Sequence, residues 1–300
     1  MTGHRLLAAA LAIVALVLAG CGAAGNRSPA RSSAPDRSGA SVAGAHHALA
    51  SRQLAALRLP AHPAPRTVRV PILTYHRVHS FATEYTKSIP DETVEPATFA
   101  AEMRVVSRAG YRTITQAELF GALFRGRSLP PKPVLVTADD GYADDVTQML
   151  PVLRRLRMVA SFYVITGRLH EAGFLTPAQV RALDRAGMDV GAHTRTHADL
   201  PTLPLASMRE EIAGSRRDLE RVLGHPVAAF AYPYGRFDAT VVREVRRAGF
   251  ALAVTTQGGT TESSLASLAM PRIHVGRAQT AQGVLACLRA AGGCGGGGGG

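Results

Sequence analysis

Two short strings of polar residues carry the side chains of this chain that could do chemistry. The first places two adjacent carboxylates, Asp139 and Asp140, directly after an apolar run. The second, about fifty residues later, places His193 and His197 four positions apart. Carboxylate oxygens and imidazole nitrogens are common ligands of divalent metals, which activate water for hydrolysis. Together the strings predict a metal-assisted hydrolase in which one carboxylate binds the metal and the other acts as a base.

Each string alone has an ordinary alternative explanation. Aspartates at a strand–helix junction often cap the helix or form an Asx turn. The two histidines share one face, within reach of one metal, if their segment is helical, and otherwise they are two loop residues. Both strings follow apolar runs that predict strands, so both are expected at the same rim of a sheet, which favours a shared site.

The elements that must position these side chains alternate between strands and helices. Short apolar runs predict buried strands at residues 68–75, 134–138, 160–165, 188–192, 228–232 and 250–254. Helix starts are indicated by the capping box of Thr115 with Glu118, and by Thr176 as a cap before Pro177. Three glycines predict helix ends just before the next strand, at Gly110, Gly187 and Gly249. Repeated strand–helix units predict a mainly parallel α/β sheet, open or closed into a barrel, with ligands at the carboxyl ends of its strands.

Two further features supply candidate site residues. The string Tyr232-Pro233-Tyr234-Gly235 follows a predicted strand and could provide an aromatic wall and a turn that offers backbone N–H groups. Its alternative is an ordinary turn. His274 follows another short apolar stretch, and its alternative is a purely structural histidine.

The stretch from about residue 70 to residue 290 resembles the polysaccharide deacetylase family, the NodB-homology or carbohydrate esterase family 4 group. Residues 137–141, Thr-Ala-Asp-Asp-Gly, are similar to its first motif, and residues 193–197, His-Thr-Arg-Thr-His, to its second. Residues 71–76, Pro-Ile-Leu-Thr-Tyr-His, resemble the first strand of many members. Residues 230–235, Phe-Ala-Tyr-Pro-Tyr-Gly, look most like the branch of poly-N-acetylglucosamine deacetylases and related lipoproteins. The resemblance implies a distorted (β/α)7 barrel.

The same resemblance implies roles for five side chains. Asp140, His193 and His197 would bind a divalent metal, most often zinc, although this ligand set also accepts cobalt, nickel or manganese. Asp139 would be the general base that takes a proton from water activated by the metal. His274 would be the general acid that protonates the leaving amine.

The same resemblance implies which residues contact the substrate, and this sequence departs from the family's motifs at two places. The metal and the backbone N–H of Tyr234 would stabilise the oxyanion, and Tyr232, Pro233 and Arg272 complete the expected substrate and oxyanion residues. The family's third motif normally begins with an arginine that orients the catalytic aspartate, but Ala231 stands there. Arg272 is expected to reach in its place. No DWD-like fourth motif is present, and residues 254–257 occupy that region.

The expected activity is removal of N-acetyl groups from an N-acetylglucosamine-type cell-wall polymer or exopolysaccharide. Two alternatives stay open. One is a degenerate domain that binds glycan without turning it over, and the other is a deacylase that acts on a different ester or amide. The sequence does not choose among peptidoglycan, an exopolysaccharide and a chitin-like oligomer.

The N-terminus predicts export. His4 and Arg5 precede an apolar stretch, residues 6–19, that has the length of a signal h-region and is too short to span a bilayer. The stretch ends in Leu-Ala-Gly-Cys, which resembles a bacterial lipobox with Cys21 as the lipidated residue. We therefore expect a signal peptide at 1–21, a flexible spacer at 22–66, the deacetylase domain at 67–291 and a disordered glycine-rich tail at 292–300. The mature protein is expected on the outer side of the cytoplasmic membrane.

The composition limits the partners. The formal charge is +12, which attracts acidic polymers, but the arginines are scattered and no nucleic-acid-binding motif is present, so nucleic acid is not an expected partner. A monomer is expected. Besides Cys21 the chain has only Cys287 and Cys294, which could pair or stay free.

Overall fold

A curled, parallel sheet forms the centre of the fold in the computed structural model, which describes residues 57–83 and 90–294. The strands, in chain order, are β1 Thr67–Arg69, β2 Ile72–Tyr75, β3 Arg77–Val78, β4 Thr93–Val94, β5 Arg112–Thr113, β6 Pro133–Ala138, β7 Ser161–Val164, β8 Asp189–Ala192, β9 Ala229–Ala231, β10 Leu252–Val254, β11 Thr261–Ser263 and β12 Ile273–His274. The central sheet has the order β10-β9-β8-β7-β6-β2-β12, with every neighbouring pair parallel, and β5 also pairs with β6. The predicted α/β fold of the (β/α)7 type is confirmed.

Helices follow most of the central strands, as the alternation predicts. They are α1 Pro96–Arg108, α2 Gln116–Arg125, α3 Leu150–Leu156, α4 Pro177–Arg185, α5 Leu205–Arg209, α6 Ser215–Leu223, α7 Ala239–Arg247 and α8 Ala281–Arg289. Both predicted caps are present, because the side chains of Thr115 and Thr176 accept from the backbone N–H three residues later. The three predicted glycine ends have φ of +83°, +82° and +89° at Gly110, Gly187 and Gly249. None of the helices within residues 57–83 and 90–294 is long and apolar enough to cross a membrane.

The predicted strand at 68–75 is two strands, which is a correction. β1 pairs antiparallel with β11, outside the central sheet, whereas β2 lies between β12 and β6. The break falls at Pro71, which has no N–H to donate to a ladder. The proline carbonyl still accepts from the N–H of Leu135, so β2 enters the sheet directly after it.

Alternation along the strands decides which side chains point into the curled sheet. Leu135 on β6 belongs to a buried cluster with Ile72 and Tyr163 of the neighbouring strands, whereas Val134 and Val136 belong to a second cluster, which includes residues from most of the helices. Because successive strand residues point to opposite faces, positions 135, 137 and 139 share the inner face. The strand therefore directs the first residue after it, position 139, towards the interior.

Described residues on both sides of the predicted domain, from the predicted spacer and tail, contact it. Leu57 is buried, and Ser264 binds the main chain on both sides of Pro65, donating to the carbonyl of Ala64 and accepting from the N–H of Arg66. Leu57 and the main chain of residues 64 and 66, predicted as spacer, thus contact the domain. At the other end Cys287 and Cys294 form a disulfide, which ties residues 292–294 of the predicted tail to α8. The signal peptide with Cys21, residues 22–56 and residues 295–300 lie outside the described residues.

Glu262 on β11 makes the stability of the domain depend on pH. Its side chain is fully buried, and neither carboxylate oxygen has a hydrogen-bond partner among the described residues. Burial raises the pKa of Glu262 from 4.5 to about 8. The folded state therefore favours the protonated acid, and its stabilising contribution, complete below the unfolded pKa, is lost as the pH rises through about 8.

We expect Glu262→Gln to remove much of this dependence, since an amide does not titrate. Between about pH 5 and about pH 8, the unfolding free energy of the variant relative to the wild type should rise by about 2–4 kcal/mol. Urea unfolding at both pH values measures this. The exposed Glu171→Gln is the matched control. Parallel pH profiles of wild type and Glu262→Gln would show that Glu262 does not titrate in this range.

Candidate active site

The first polar string lies at the carboxyl end of β6, with Asp139 turned into the sheet. The N–H of Asp139 donates to the carbonyl of Tyr75 and so continues the β6–β2 ladder by one residue. Its side chain is 3% exposed and accepts two hydrogen bonds from Arg272, at 2.8 Å to Oδ1 and 2.6 Å to Oδ2. This bidentate pairing fixes the carboxylate plane.

Arg272 is itself fixed from several sides. It is almost completely buried, its Nε donates to the carbonyl of Thr255 at 2.8 Å, and its Nη1 also donates to Thr137 Oγ1 at 3.1 Å. The contact expected of Arg272, in place of the arginine missing at Ala231, is therefore present. Because the guanidinium is enclosed and bound to Asp139, Arg272 is a positioning residue and not the substrate or oxyanion contact that was also expected of it.

The Arg272 pairing also sets the charge of Asp139. Burial alone would raise the pKa of this carboxyl, but the charge of Arg272 and its hydrogen bonds outweigh burial and hold the pKa of Asp139 well below its usual range. Asp139 is therefore ionised at neutral pH.

Asp140 turns the other way and meets the two histidines. Its φ of +74° and the +76° of Gly141 form a sharp exit from β6, where a Cβ on the glycine would lie 3.0 Å from Val164 Cγ1. Asp140 Oδ1 lies 3.6 Å from His193 Nε2 and 3.7 Å from His197 Nε2. The predicted metal ligands are thus brought together by the fold, all within 4.8 Å of one another.

The histidine segment is a turn and not a helix, which decides between the two conformations that the sequence left open. β8 ends at Ala192, and the chain reverses through positive φ values of 63° at Thr194 and 62° at His197. Hydrogen bonds hold the turn in place. The N–H of His197 donates to Thr194 Oγ1 at 2.9 Å, and the N–H groups of residues 195 and 196 both donate to Glu211 Oε2. The ring centroids are 4.8 Å apart, so the turn brings the two imidazoles together without a helix.

The protonation of the three residues suits a cation. His193 Nδ1 lies 2.8 Å from the carbonyl of Ala231, and since a carbonyl only accepts, Nδ1 carries the proton and Nε2 presents its lone pair to Asp140. Burial lowers the pKa of His193, and burial with the charge of His193 lowers the pKa of His197 to about 3. Both imidazoles are neutral at pH 7.

Asp140 is the member of the cluster that needs a positive charge nearby. Burial, then the charges of Asp139 and Glu92, raise the pKa of Asp140 to about 7. Its buried Oδ1 has no hydrogen-bond partner among the described residues. An unsatisfied carboxylate oxygen facing two imidazole lone pairs fits a divalent cation.

Two more imidazoles lie near the aspartates. His274 ends β12 and His76 directly follows β2, with ring centroids 5.8 Å apart. His76 Nε2 is 3.8 Å from Glu92 Oε1. Burial lowers the pKa of both rings, that of His76 to about 4, while the charge of Asp139 acts in the opposite direction. His274 is the predicted acid, whereas His76 was missed although it ends the quoted string 71–76 and follows a strand like the other site residues.

The 232–235 string contributes one side chain to the rim instead of an aromatic wall. Tyr234 is 59% exposed and meets His197 edge-on at 4.5 Å between centroids. Its main chain is left-handed, with φ of +58°, and the next residue must be glycine because a Cβ on Gly235 would lie 2.6 Å from the backbone N of Thr256. The expected substrate-side role of Tyr232 is wrong, because it is buried and its hydroxyl donates to a main-chain carbonyl, and the side chain of Pro233 is buried too.

The known proteins that are similar to this chain are deacetylases. A model of the polysaccharide deacetylase family matches residues 126–253. This range includes Asp139 and the cluster of Asp140, His193 and His197. The deacetylase PplD of Streptococcus pyogenes, solved with acetate, is 28% identical, with a TM-score of 0.70 over 75% of this chain and 100% of that chain. BA0330 of Bacillus anthracis, assigned to the polysaccharide deacetylases, is 30% identical, with a TM-score of 0.63 over 72% of this chain and 67% of that chain. YxkH of Bacillus subtilis, with the same assignment, is 26% identical over 210 residues, 70% of this chain and 72% of the relative.

Proposed function

The chain belongs to the polysaccharide deacetylase family, and we propose that it is a metal-dependent hydrolase that removes N-acetyl groups from an N-acetylglucosamine-type polysaccharide. The observation that carries this proposal is the cluster of Asp140, His193 and His197 beside the ionised Asp139. An amide is inert, so its hydrolysis needs an activated water, a site for the developing negative charge and a proton for the leaving amine.

Asp140, His193 and His197 are the residues that would hold the cation. Two imidazoles and one carboxylate suit zinc, and they also suit cobalt, nickel or manganese. A bound cation would supply Lewis acidity, which lowers the pKa of water and polarises the acetyl carbonyl. The ring of His193 is already oriented for this by its hydrogen bond to Ala231.

Asp139 would take the proton of the attacking water. It is ionised, and Arg272 fixes both of its oxygens so that its plane cannot rotate. The proton for the leaving amine would come from an imidazole at the same rim. His274 remains our predicted acid, and His76 is a second candidate because it lies beside His274 and feels the same charge of Asp139. The exposed ring of Tyr234 offers a flat surface for a sugar, and its N–H remains our predicted oxyanion donor.

The test is the full chain with zinc, incubated with N-acetylglucosamine oligomers and, separately, with an O-acetylated xylan oligomer. We expect acetate and an equal amount of new free amine from the first substrate. Acetate from the ester alone would favour the alternative of a different deacylase. Oligomer binding without acetate from either substrate would favour the degenerate glycan-binding domain.

We also propose that the mature protein is a lipoprotein on the outer side of the cytoplasmic membrane. The support is the apolar stretch that ends at Cys21. Cys21→Ala is expected to move the protein from the membrane fraction to the soluble exported fraction in the native host, whereas Ser32→Ala in the adjacent segment should not. Unchanged fractionation of Cys21→Ala would refute the lipid anchor. The absence of a nucleic-acid partner and the monomeric state stay predictions.

A further inference from the structure

A second group of metal-ligating side chains lies beside the proposed metal site and shares no residue with it. It consists of His76 after β2, Glu92 before β4 and His274 at the end of β12. Each residue offers one ligand atom, and these atoms all lie within 4.8 Å of one another. Three separate segments of the chain converge here, so the grouping is a product of the fold.

The donor chemistry of this group is that of a zinc site. Two neutral imidazole nitrogens and one carboxylate form one of the ligand sets that hold zinc in hydrolases. The side chains of His76 and Glu92 are 14% and 31% exposed, so an ion can enter from solvent. The charges of Asp139 and Asp91, which act on His76, Glu92 or His274, add negative potential, although Arg272 opposes it.

We propose that His76, Glu92 and His274 form a second divalent-cation site that takes zinc in preference to magnesium or calcium, and that its occupation inhibits the enzyme. Magnesium and calcium prefer oxygen ligands, and this group offers a single carboxylate. Inhibition follows because a ligated imidazole nitrogen has no lone pair left to carry a proton to the leaving amine. This inhibitory part rests on the proposed function.

The second site is expected to be the weaker of the two. His193 is anchored through Nδ1 to the carbonyl of Ala231. His76 has no such support, since its buried Nδ1 lacks a hydrogen-bond partner among the described residues. Partners of this kind change metal affinity by about 10–100-fold. Zinc should therefore fill the Asp140 site first and activate, and then fill the second site at about 10–100 times higher concentration and inhibit.

The experiment counts bound ions before it measures turnover. The full chain is stripped of metal and titrated with zinc in a calorimeter, with magnesium and calcium as separate probes. We expect two zinc ions on the wild type, with clearly different affinities, and no magnesium or calcium at the weaker site. Glu92→Gln and His274→Gln should each lose the weaker ion and keep the tighter one, while His193→Ala should lose the tighter ion and keep the weaker.

Glu95→Gln is the matched control, because it removes a nearby carboxylate while its amide oxygen can still accept from the N–H of Phe81. Activity is expressed relative to the maximum of each protein. The zinc concentration that inhibits should rise at least about tenfold in Glu92→Gln and stay unchanged in Glu95→Gln. A single zinc on the wild type, or two on Glu92→Gln with unchanged affinities, would overturn the site. Two ions without inhibition would overturn its inhibitory role. Because ion counting needs no turnover, absence of deacetylase activity would refute the proposed function and leave the site testable.

Discussion

Asp139→Asn is expected to lower kcat for acetate release by about 10³-fold while the protein still binds its tighter metal ion. Asparagine has nearly the same shape as aspartate but cannot accept the proton of water. The proposed ligands Asp140, His193 and His197 are untouched, so the ion count should not change. Parallel measurement of kcat and of bound zinc separates loss of the base from loss of the metal.

The control for this prediction is Asp238→Asn, an equivalent change at the N-cap of α7, where asparagine caps as well as aspartate. It should leave kcat unchanged. Near-normal turnover by Asp139→Asn would show that another group takes the proton, and loss of zinc from this variant would show that Asp139 belongs to the ligand set.

Arg272→Met is expected to cost about 3–5 kcal/mol of stability and most of the activity. Methionine fills much of the volume, but it leaves the Asp139 carboxylate buried without its bidentate partner. Without the charge and hydrogen bonds of Arg272, burial raises the pKa of Asp139, so the base becomes protonated at a higher pH. The acidic limb of the kcat/KM profile should therefore move to higher pH, which a purely structural role would not produce.

Arg272→Lys provides the rescue test. Lysine restores the charge but cannot form two parallel hydrogen bonds, so it should recover much of the stability and only part of the activity. The exposed Arg243→Met is the control for losing an arginine as such. An unshifted pH profile in a folded Arg272→Met protein would contradict the positioning role.

The strength of the sequence pattern explains which parts of the fold and site could be predicted. The strand runs are local signals, and each of them contains a strand, but the run at 68–75 is divided at Pro71 into two. The capping residues Thr115 and Thr176 and the glycine helix ends are local signals too, and all of them are present in the structure. The convergence of Asp140 with the two histidines follows from both strings ending strands of one parallel sheet. The spacing of the histidines, however, fits a helix and a tight turn equally well, so the sequence left their local conformation open.

Other errors come from contacts that no local pattern encodes. Arg272 meets Asp139 across 133 residues of sequence, and whether it faced the carboxylate or the substrate depended on how the sheet closes. Tyr232 is different, since strand alternation places it on the same face as Phe230, in the core shared with the helices, and that rule could have excluded it from the substrate side. His76 could likewise have been found from its position at a strand end.

The most direct test of the central claim is acetate release from N-acetylglucosamine oligomers by the metal-stripped full chain, titrated with zinc beside His193→Ala. We predict no release without metal, recovery as the first equivalent of zinc binds, and neither tight binding nor recovery in His193→Ala. Full activity after verified removal of metal, or a His193→Ala protein that recovers like the wild type, would contradict the assignment of Asp140, His193 and His197 as the centre of the reaction.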